Sequence, residues 1–441
     1  MDTDKHVLSG SSMGGRSLVL NRPKALNSLT LPMVKAIMHN LKNWESSELC
    51  NVVILKSNSE KAFCAGGDVV KVSQTWKDGA KAHAMQFFQE EYQLNHYIAT
   101  YSKPIVALIG GYTMGGGVGL SVHAPFRVAT ETSVFAMPET KIGFFPDVGA
   151  TFFLPRLDGE TGMYLGMTGR QLKGRDLLYA GIATHYVPSE RIPILEERLS
   201  ELGTSNYDII NSTIEEFATQ PEDSATLDYS LSTLRNSIDR CFRFKSVEAI
   251  VEALNHEEEN PEWAQQTLKT LEKMSPSSLK LTLEQLGHGK RLDIQQAFTL
   301  ELRLAEKRLA SHDMHEGIDA LLVRKSLDPK WDPPTVAQTD MHQIFAEYFE
   351  SPVSSVPLFF KKTANFSEYP HKFGLPTEED VKKLITGENP QAGDYKLTRE
   401  EVLNYFEREN IGKIGTAQKV SWVLDRKTRK EHNSDALEWV R

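Results

Sequence analysis

Residues 63–68 read Phe-Cys-Ala-Gly-Gly-Asp, and residues 113–119 read Thr-Met-Gly-Gly-Gly-Val-Gly. A carboxylate pair follows, with Glu139 ending Met-Pro-Glu and Asp147 ending Phe-Pro-Asp. The two glycine-rich turns offer backbone N–H donors, and the acids can accept a proton. Amides beside an acid are the groups that stabilise an oxyanion and move a proton next to it. The sequence therefore predicts an acyl-transfer or enolate site.

The pattern around these turns is that of an α/β protein. Short apolar runs predict strands at residues 17–20, 52–55, 104–109, 126–129 and 134–136. Between the first two runs, Thr30 is a candidate N-cap for a helix whose apolar face holds Val34, Ile37, Met38 and Leu41. The second glycine cluster follows a strand and opens a helix predicted over 118–122. Its amides are therefore expected at the positive end of a helix dipole.

The second half of the chain is predicted to be helical. Apolar residues recur at helical spacing over 246–254, 262–274 and 294–309. A proline-rich stretch at 328–334 then predicts a boundary, followed by about a hundred further residues.

Composition restricts the class of function. The formal net charge is −9 and the pI is about 5.9, which argues against a dominant attraction to nucleic acid and favours a small-molecule substrate. The three cysteines, Cys50, Cys64 and Cys241, have no spacing typical of disulfide frameworks or zinc clusters. No apolar run reaches the roughly 20 residues of a membrane span, and residues 1–4 lack the character of a transit peptide.

The two glycine turns and the Met-Pro-Glu motif resemble those of the crotonase superfamily, whose members bind acyl-CoA thioesters. Residues 21–27 (Asn-Arg-Pro-Lys-Ala-Leu-Asn) are similar to its CoA-contacting loop. Matches at 135–149, 168–169, 181–185, 274–280 and 312–317 resemble the 3-hydroxyisobutyryl-CoA hydrolases within that superfamily. The resemblance implies a crotonase-type ββα spiral core at 15–225, a helical region at 226–335 that completes the hydrolase domain, and a C-terminal extension at 336–441.

The resemblance also implies roles for particular residues. It implies Glu139 near the thioester carbon, Asp147 assisting with water or the substrate hydroxyl, oxyanion amides at Gly67 and Gly116, an acyl pocket lined by Glu91, and CoA contacts from Lys24, Ala25 and Leu26. The residues alone leave other interpretations open: a capping or ion-paired Glu139, a turn residue at Asp147, a solvent-exposed Glu91 and a solvated Lys24. They also leave open whether a carboxylate activates water or attacks directly to form an anhydride.

The implied substrate carries its own coenzyme, so no separate cofactor is expected. No metal is expected either: His312 and His315 are three residues apart and no third ligand is evident nearby. Cys64 has no indicated His or Asn partner, and a small buried thiol is the commoner fate.

Gly119 departs from the pattern of enoyl-CoA hydratases, which resemble this chain but place a glutamate at that position. A hydratase or isomerase activity is therefore the weaker alternative. The resemblance implies hydrolysis of 3-hydroxyisobutyryl-CoA to 3-hydroxyisobutyrate and CoA, in valine catabolism in the mitochondrial matrix.

The C-terminal extension suggests a second kind of function. It resembles the extra region of fungal members associated with the mitochondrial small ribosomal subunit, which implies ribosomal proteins or rRNA as partners. A basic cluster of Arg426, Lys427, Arg429 and Lys430 could contact such a partner. The alternative interpretation is a solvated helix, because nearby acids dilute the positive charge.

Overall fold

A computed structural model describes residues 5–220, 227–353, 357–360, 363–390, 393, 395–432 and 434–440. Its strands are β1 (Val7–Ser12), β2 (Gly15–Leu20), β3 (Val52–Ser57), β4 (Ala62–Cys64), β5 (Ile105–Leu108), β6 (Tyr112–Met114), β7 (Phe126–Ala129), β8 (Val134–Ala136), β9 (Leu172–Lys173), β10 (His185–Tyr186), β11 (Thr428–Lys430) and β12 (Leu437–Trp439). All five strands predicted from the sequence are present.

The helices up to residue 255 are α1 (Leu31–Glu45), α2 (Val69–Lys77), α3 (Lys81–Ala99), α4 (Gly116–Ser121), α5 (Ala150–Phe153), α6 (Thr161–Thr168), α7 (Asp176–Tyr179), α8 (Ile192–Glu201), α9 (Tyr207–Phe217), α10 (Arg235–Phe242) and α11 (Val247–Asn255). Those that follow are α12 (Pro261–Leu271), α13 (Pro276–Gly289), α14 (Ile294–Leu309), α15 (His312–Ile318), α16 (Met341–Phe345), α17 (Glu378–Ile385), α18 (Arg399–Glu409) and α19 (Thr416–Lys427). No helix in the described part of the chain combines the length and apolarity that a membrane crossing requires.

Two sheets are built in alternation. The larger has the order β1-β2-β3-β5-β7-β10, and the smaller has the order β4-β6-β8-β9. Each of β3, β5 and β7 enters the larger sheet, and the next strand along the chain then joins the smaller one. Pairing from β2 to β10 is parallel, as is pairing among β4, β6 and β8. The repeated strand, strand and helix make up the spiral α/β core that the resemblance implied.

Helix α1 shows how local sequence fixes these elements. The Thr30 side chain accepts a hydrogen bond from the amide of Met33, as the capping prediction required. Met33, Val34, Ile37 and Leu41 are buried on one face, which packs into the main core. Met38, predicted for the same face, is only partly buried. Burial of this apolar face, and not helix propensity alone, holds the helix in place.

The C-terminal extension has a small core of its own. Residues from α17, α18, α19 and β12 form it, among them Val381, Val402, Val420 and Leu437. Buried ion pairs attach this unit to the rest of the chain: Lys419 to Asp158 at 2.6 Å, and Lys413 to Glu215 at 3.0 Å.

The basic cluster of the extension is not a free surface. The Arg426 side chain is only 7% exposed and pairs with Asp239 and Glu378, and Lys427 pairs with the same two acids. Arg429 and Lys430 are exposed, and each pairs with a neighbouring acid on β12 or just before it. The suggestion that all four cations face a partner is therefore wrong, and so is the alternative of a fully solvated helix, because acids placed far away in the sequence neutralise two of the four.

Candidate active site

The candidate active site lies where three parallel strands of the smaller sheet end. Gly66 and Gly67 follow β4, Gly115 and Gly116 follow β6, and Glu139 follows β8. Because β4, β6 and β8 are parallel neighbours, their carboxyl ends share one edge of the sheet. Ligands of α/β proteins commonly bind outside such an edge. The topology thus brings three motifs, widely separated in sequence, to one place.

The two glycine turns touch each other. A methyl group built on Gly116 would lie 3.2 Å from the amide nitrogen of Gly67, and one built on Gly66 would lie 4.0 Å from the amide nitrogen of Gly116. The Leu29 amide donates to the Gly66 carbonyl, and the Asp68 amide donates to the Leu29 carbonyl. The Gly67 N–H takes no part in this pairing. Gly116 opens α4, where a first-turn N–H has no acceptor within the helix.

Glycine is required in the second turn for two reasons. Gly115 has φ of 45°, a left-handed conformation, and a methyl group there would lie 2.9 Å from Oε1 of Glu139. Gly117 packs so closely on the first turn that a methyl group would collide with the carbonyl oxygen of Cys64. Since Gly115 acts as N-cap, the helix begins at Gly116 and not at residue 118 as predicted.

Three carboxyl groups are buried at these turns. Glu91 on α3 is 2% exposed, Asp147 is 5% exposed and Glu139 is 6% exposed. A methyl group on Gly116 would lie 2.5 Å from Oε1 of Glu91. Oε1 of Glu91 and Oε2 of Glu139 have no hydrogen-bond partner among the residues that the structure describes. Burying an unpaired carboxyl oxygen is costly, so these atoms are positioned for groups that arrive with a ligand.

The electrostatics of the three acids are coupled by their closeness. Burial, and then the nearby Asp147 carboxylate, raise the pKa of Glu91 and of Glu139 well above the usual range. Burial also raises the pKa of Asp147, while the hydrogen bond from Tyr92 opposes that rise. A raised pKa favours the protonated form of a carboxyl group, a property that proton-transferring acids share.

Asp147 sits in a constrained turn. The Tyr92 hydroxyl donates to its Oδ2 at 2.7 Å. The next residue, Val148, has φ of 54°, which a β-branched residue adopts only when its surroundings impose it. Glu301 on α14 accepts from the amides of Gly149 at 2.7 Å and Thr151 at 2.8 Å. The turn is therefore held at the Asp147 carboxylate and at the amides of two residues that follow it.

The loop expected to contact CoA is fixed to the first glycine turn. Buried Asn27 donates to the carbonyls of Ala62 and Phe63, and the amide of Ala65 donates to the carbonyl of Leu26. Pro23–Ala25 forms a short 3₁₀ turn in which Lys24 is exposed and Ala25 and Leu26 are half-buried. The loop is thus attached to the first glycine turn and carries one exposed cation, Lys24.

Position 119 is closed to a larger side chain. A methyl group on Gly119 would lie 2.6 Å from Cβ of Val148 and 2.8 Å from Oδ1 of Asn95. The space that a glutamate would need is filled by the constrained turn of Asp147 and by α3. The absence of a second glutamate at this position is therefore built into the packing.

The other groups considered from the sequence are occupied elsewhere. Cys64 is buried, and burial raises the pKa of its thiol to about 12, which disfavours a thiolate. His315 contacts the Ser73 hydroxyl through Nδ1 and the Leu309 carbonyl through Nε2. Over the ranges that the structure describes, no group of three or more metal-ligating side chains comes together.

Three residues near the site were not predicted from the sequence: Tyr92, Asn95 and Glu301. Tyr92 follows Glu91 directly, and Asn95 lies one helical turn beyond it on a largely apolar face of α3. Polar residues repeated at helical spacing on such a face were the available signal. Both polar atoms of the Asn95 side chain are buried without a partner among the described residues. Glu301 lies far along the chain, and no local sequence pattern predicts its contact with residues 149 and 151.

Comparison with known proteins agrees with this geometry. Residues 15–349 match the family described as Enoyl-CoA hydratase/isomerase. Small ribosomal subunit protein mS47 of Neurospora crassa is 41% identical over 99% of this chain and 88% of its own length. The mitochondrial 3-hydroxyisobutyryl-CoA hydrolase of Danio rerio is 47% identical over 73% of this chain and 83% of its own length. The corresponding Homo sapiens protein is 46% identical over 74% of this chain and 85% of its own length.

A solved structure gives the same result for the fold. The crystal structure of a carnitinyl-CoA dehydratase from Mycobacterium thermoresistibile is similar with a TM-score of 0.73 and 35% identity, covering 81% of this chain and 99% of that one. The family match, these relatives and the site at the edge of the smaller sheet all agree, and the chain belongs to the enoyl-CoA hydratase/isomerase family.

Proposed function

We propose that this chain is a mitochondrial acyl-CoA thioesterase that hydrolyses 3-hydroxyisobutyryl-CoA to 3-hydroxyisobutyrate and CoA, a step of valine catabolism. The names of the hydrolase relatives support the substrate and the compartment. The observation that carries the chemistry is the buried carboxyl of Glu139, unpaired at Oε2 and in contact with the second glycine turn.

The two glycine turns supply the oxyanion site. A thioester carbonyl becomes an oxyanion when a nucleophile attacks its carbon, and the amides of Gly67 and Gly116 would donate to that oxygen. Each such donor typically stabilises the transition state by about 2.7–4 kcal/mol. The donors belong to fixed backbone, so they need no reorganisation as the charge develops.

Glu139 supplies the base or the nucleophile. In one route its carboxylate takes a proton from water, whose oxygen attacks the carbonyl carbon, and the carbon–sulfur bond then breaks to release CoA thiolate. In the other route a Glu139 oxygen attacks the carbon, CoA thiolate leaves, and water opens the resulting anhydride. Asp147, held by Tyr92, orients the water or the substrate hydroxyl, and the thiolate recovers a proton from the site or from solvent.

Release of free thiol from 3-hydroxyisobutyryl-CoA tests the proposal. Glu139→Gln should reduce turnover by at least about a hundredfold, in line with the 10²–10⁴-fold contribution of general acid–base groups. Glu90→Gln is the matched control, because Glu90 is the neighbour of Glu91 on α3 but pairs with Lys35 at the surface. Equal turnover in wild type and Glu139→Gln, or none in wild type, would refute the assignment.

Single turnover in H₂¹⁸O separates the two routes. Attack by Glu139 leaves the label in the Glu139 carboxyl group when water opens the anhydride at that carbonyl. Direct attack by water puts the label in the released acid from the first turnover. A separate assay for hydration of crotonyl-CoA tests the weaker hydratase or isomerase alternative. The closed position at Gly119 disfavours that alternative.

The share of this chain that one relative matches favours a second function. The ribosomal protein of Neurospora crassa matches 99% of this chain, including the extension, whereas the Danio rerio and Homo sapiens hydrolases match 73% and 74%. We therefore also propose that the chain associates with the small subunit of the mitochondrial ribosome. The outer face of the extension, the surface that carries Arg429 and Lys430, would contact ribosomal protein or rRNA. The exposed cations Arg429 and Lys430 are not among the proposed catalytic residues, so both functions can coexist.

Sedimentation with mitochondrial small subunits tests this association. Deleting the extension would leave Asp158 and Glu215 without the lysines that pair with them, so charge reversal at the surface is the sharper change. Arg429→Glu with Lys430→Glu alters exposed groups only. We expect it to weaken co-sedimentation and leave turnover intact, while Glu139→Gln should do the reverse. Unchanged co-sedimentation of the charge-reversal variant would exclude this face, and its absence in wild type would exclude the association.

A further inference from the structure

A segment of the extension packs against elements that carry the candidate active site. Residues 364–373, here called the strap, lie beyond the family match, which ends at residue 349. The amide of Ile294 donates to the Phe366 carbonyl at 3.1 Å, and Arg156 donates to the Ser367 carbonyl at 2.9 Å. Phe373 stacks on Phe126 at 4.6 Å. The strap is thus tied to the hydrolase part along its whole length.

Two contacts of the strap reach elements that carry catalytic groups. The Ala364 carbonyl accepts from Nε2 of His96, which lies on α3 one turn beyond Tyr92. The Tyr369 hydroxyl contacts Nδ1 of His123 at 2.7 Å. Nε2 of His123 in turn contacts the Val148 carbonyl at 2.8 Å. This second chain of contacts ends on the residue that follows Asp147.

The direction of these hydrogen bonds follows from the chemistry of the groups. A carbonyl oxygen can only accept, so Nε2 of His123 carries the proton and donates to Val148. Burial lowers the pKa of His123 to about 4, so the ring is neutral near pH 7 and its Nδ1 is an acceptor. The Tyr369 hydroxyl must therefore be the donor to Nδ1. The order is Tyr369 to His123 to Val148, without a break.

This order matters because the turn it reaches is strained. Val148 holds φ of 54° and Gly149 holds φ of 90°, and a methyl group on Gly149 would collide with the His123 ring. The ring therefore packs closely on Gly149 as well as donating to Val148. Glu301 holds the amide side of the same turn, and His123 holds the carbonyl side.

We propose that Tyr369, from the extension, is a positioning residue for the hydrolase reaction: through His123 it fixes the Val148 carbonyl and so the orientation of the Asp147 carboxylate. The inference rests on the proposed function and adds to it a group from outside the family match. Tyr369 does not touch the reacting atoms, and its effect passes through two hydrogen bonds.

The variant Tyr369→Phe removes the donor and keeps the ring, which packs edge-on against Phe152 at 5.1 Å. We expect kcat to fall by about tenfold with KM little changed. A misplacement of roughly 1 Å costs on the order of a hundredfold, and the effect here is smaller because it passes through two hydrogen bonds. Tyr405→Phe is the matched control in the same extension, where the hydroxyl accepts from Asn389. It should leave both constants unchanged.

A double-mutant cycle distinguishes positioning from simple loss of packing. Tyr92 and Tyr369 both act on Asp147, one directly and one through the turn, so the effects of Tyr92→Phe and Tyr369→Phe on kcat should not be additive. Additive effects, or an unchanged kcat in Tyr369→Phe, would overturn the proposal while leaving the hydrolase assignment intact.

A readout without turnover separates the two proposals fully. The ¹³C carboxyl signal of Asp147, assigned through Asp147→Asn, reports the titration of this group among the acids and phenol that face it, Glu91, Tyr92, Glu139 and Glu301. Its midpoint should move in Tyr369→Phe and stay in place in Tyr405→Phe. A midpoint that does not move refutes positioning even if wild type hydrolyses no thioester, and a wild type without turnover refutes only the proposed function.

Discussion

The hydrogen bond from Tyr92 to Asp147 allows a quantitative prediction. In Tyr92→Phe the ring stays in the core and only the hydroxyl, 2.7 Å from Oδ2 of Asp147, is removed. A hydrogen bond to a charged group contributes about 1.5–3 kcal/mol. One pKa unit corresponds to 1.36 kcal/mol. The bond stabilises the ionised form, so its loss should raise the pKa of Asp147 by about 1–2 units beyond the rise that burial already causes.

The assay is the pH dependence of kcat for thiol release from 3-hydroxyisobutyryl-CoA, from about pH 5 to 9. If ionised Asp147 is needed, the acid limb of Tyr92→Phe should move upward by that amount, with activity recovering at high pH. Tyr101→Phe is the control: its hydroxyl is also buried, but it donates to the Leu41 carbonyl away from the acids. An acid limb that stays in place or moves downward would refute the role given to Asp147.

Three further predictions concern stability. Gly117→Ala should cost about 1–3 kcal/mol, because its methyl group meets the Cys64 carbonyl, whereas exposed Gly287→Ala, with nothing within 4 Å, should gain up to about 1 kcal/mol in urea unfolding. Burial raises the pKa of Glu139 above its unfolded value, so its stabilising contribution is complete below the unfolded pKa and is lost as pH rises. Glu139→Gln should therefore flatten the fall in unfolding free energy as pH rises above the unfolded pKa of a glutamate. Lys419→Met leaves a buried carboxylate without its partner and should cost about 3–5 kcal/mol, with faster limited proteolysis of the extension.

Local chemistry explains what the sequence could predict. The capping oxygen of Thr30 and the alternation of apolar runs with an amphipathic helix depend on neighbours within a few residues. The position of Glu139 after a strand was equally predictable, since it follows the apolar run at 134–136, but the short strands β4 and β6, which end at the two glycine turns, were not predicted. The order of parallel strands then brings these motifs together, which confirms the fold class.

Long-range contacts explain what the sequence could not predict. Glu301 contacts Gly149, 152 residues away in the sequence. Arg426, near the end of the chain, contacts Asp239 and Glu378. No periodicity links such positions, so a cation cluster near the C-terminus gave the same pattern whether it faced a partner or internal acids. The burial of Glu91 likewise depends on a distant contact, because the start of α4 packs against its carboxyl group.

The way the extension is attached limits how a partner could use it. Lys413 and Lys419 are almost fully buried in their ion pairs, and separating either pair would leave a charge without its partner in a poorly solvated place. A ribosomal partner that pulled the extension away would have to supply that free energy and would also disturb Tyr369 and the turn of Asp147. A partner that binds the exposed outer face, where Arg429 and Lys430 lie, meets neither cost. Binding at that face should therefore leave thioester hydrolysis unchanged, and a fall in kcat on ribosome binding would show that the partner displaces the strap.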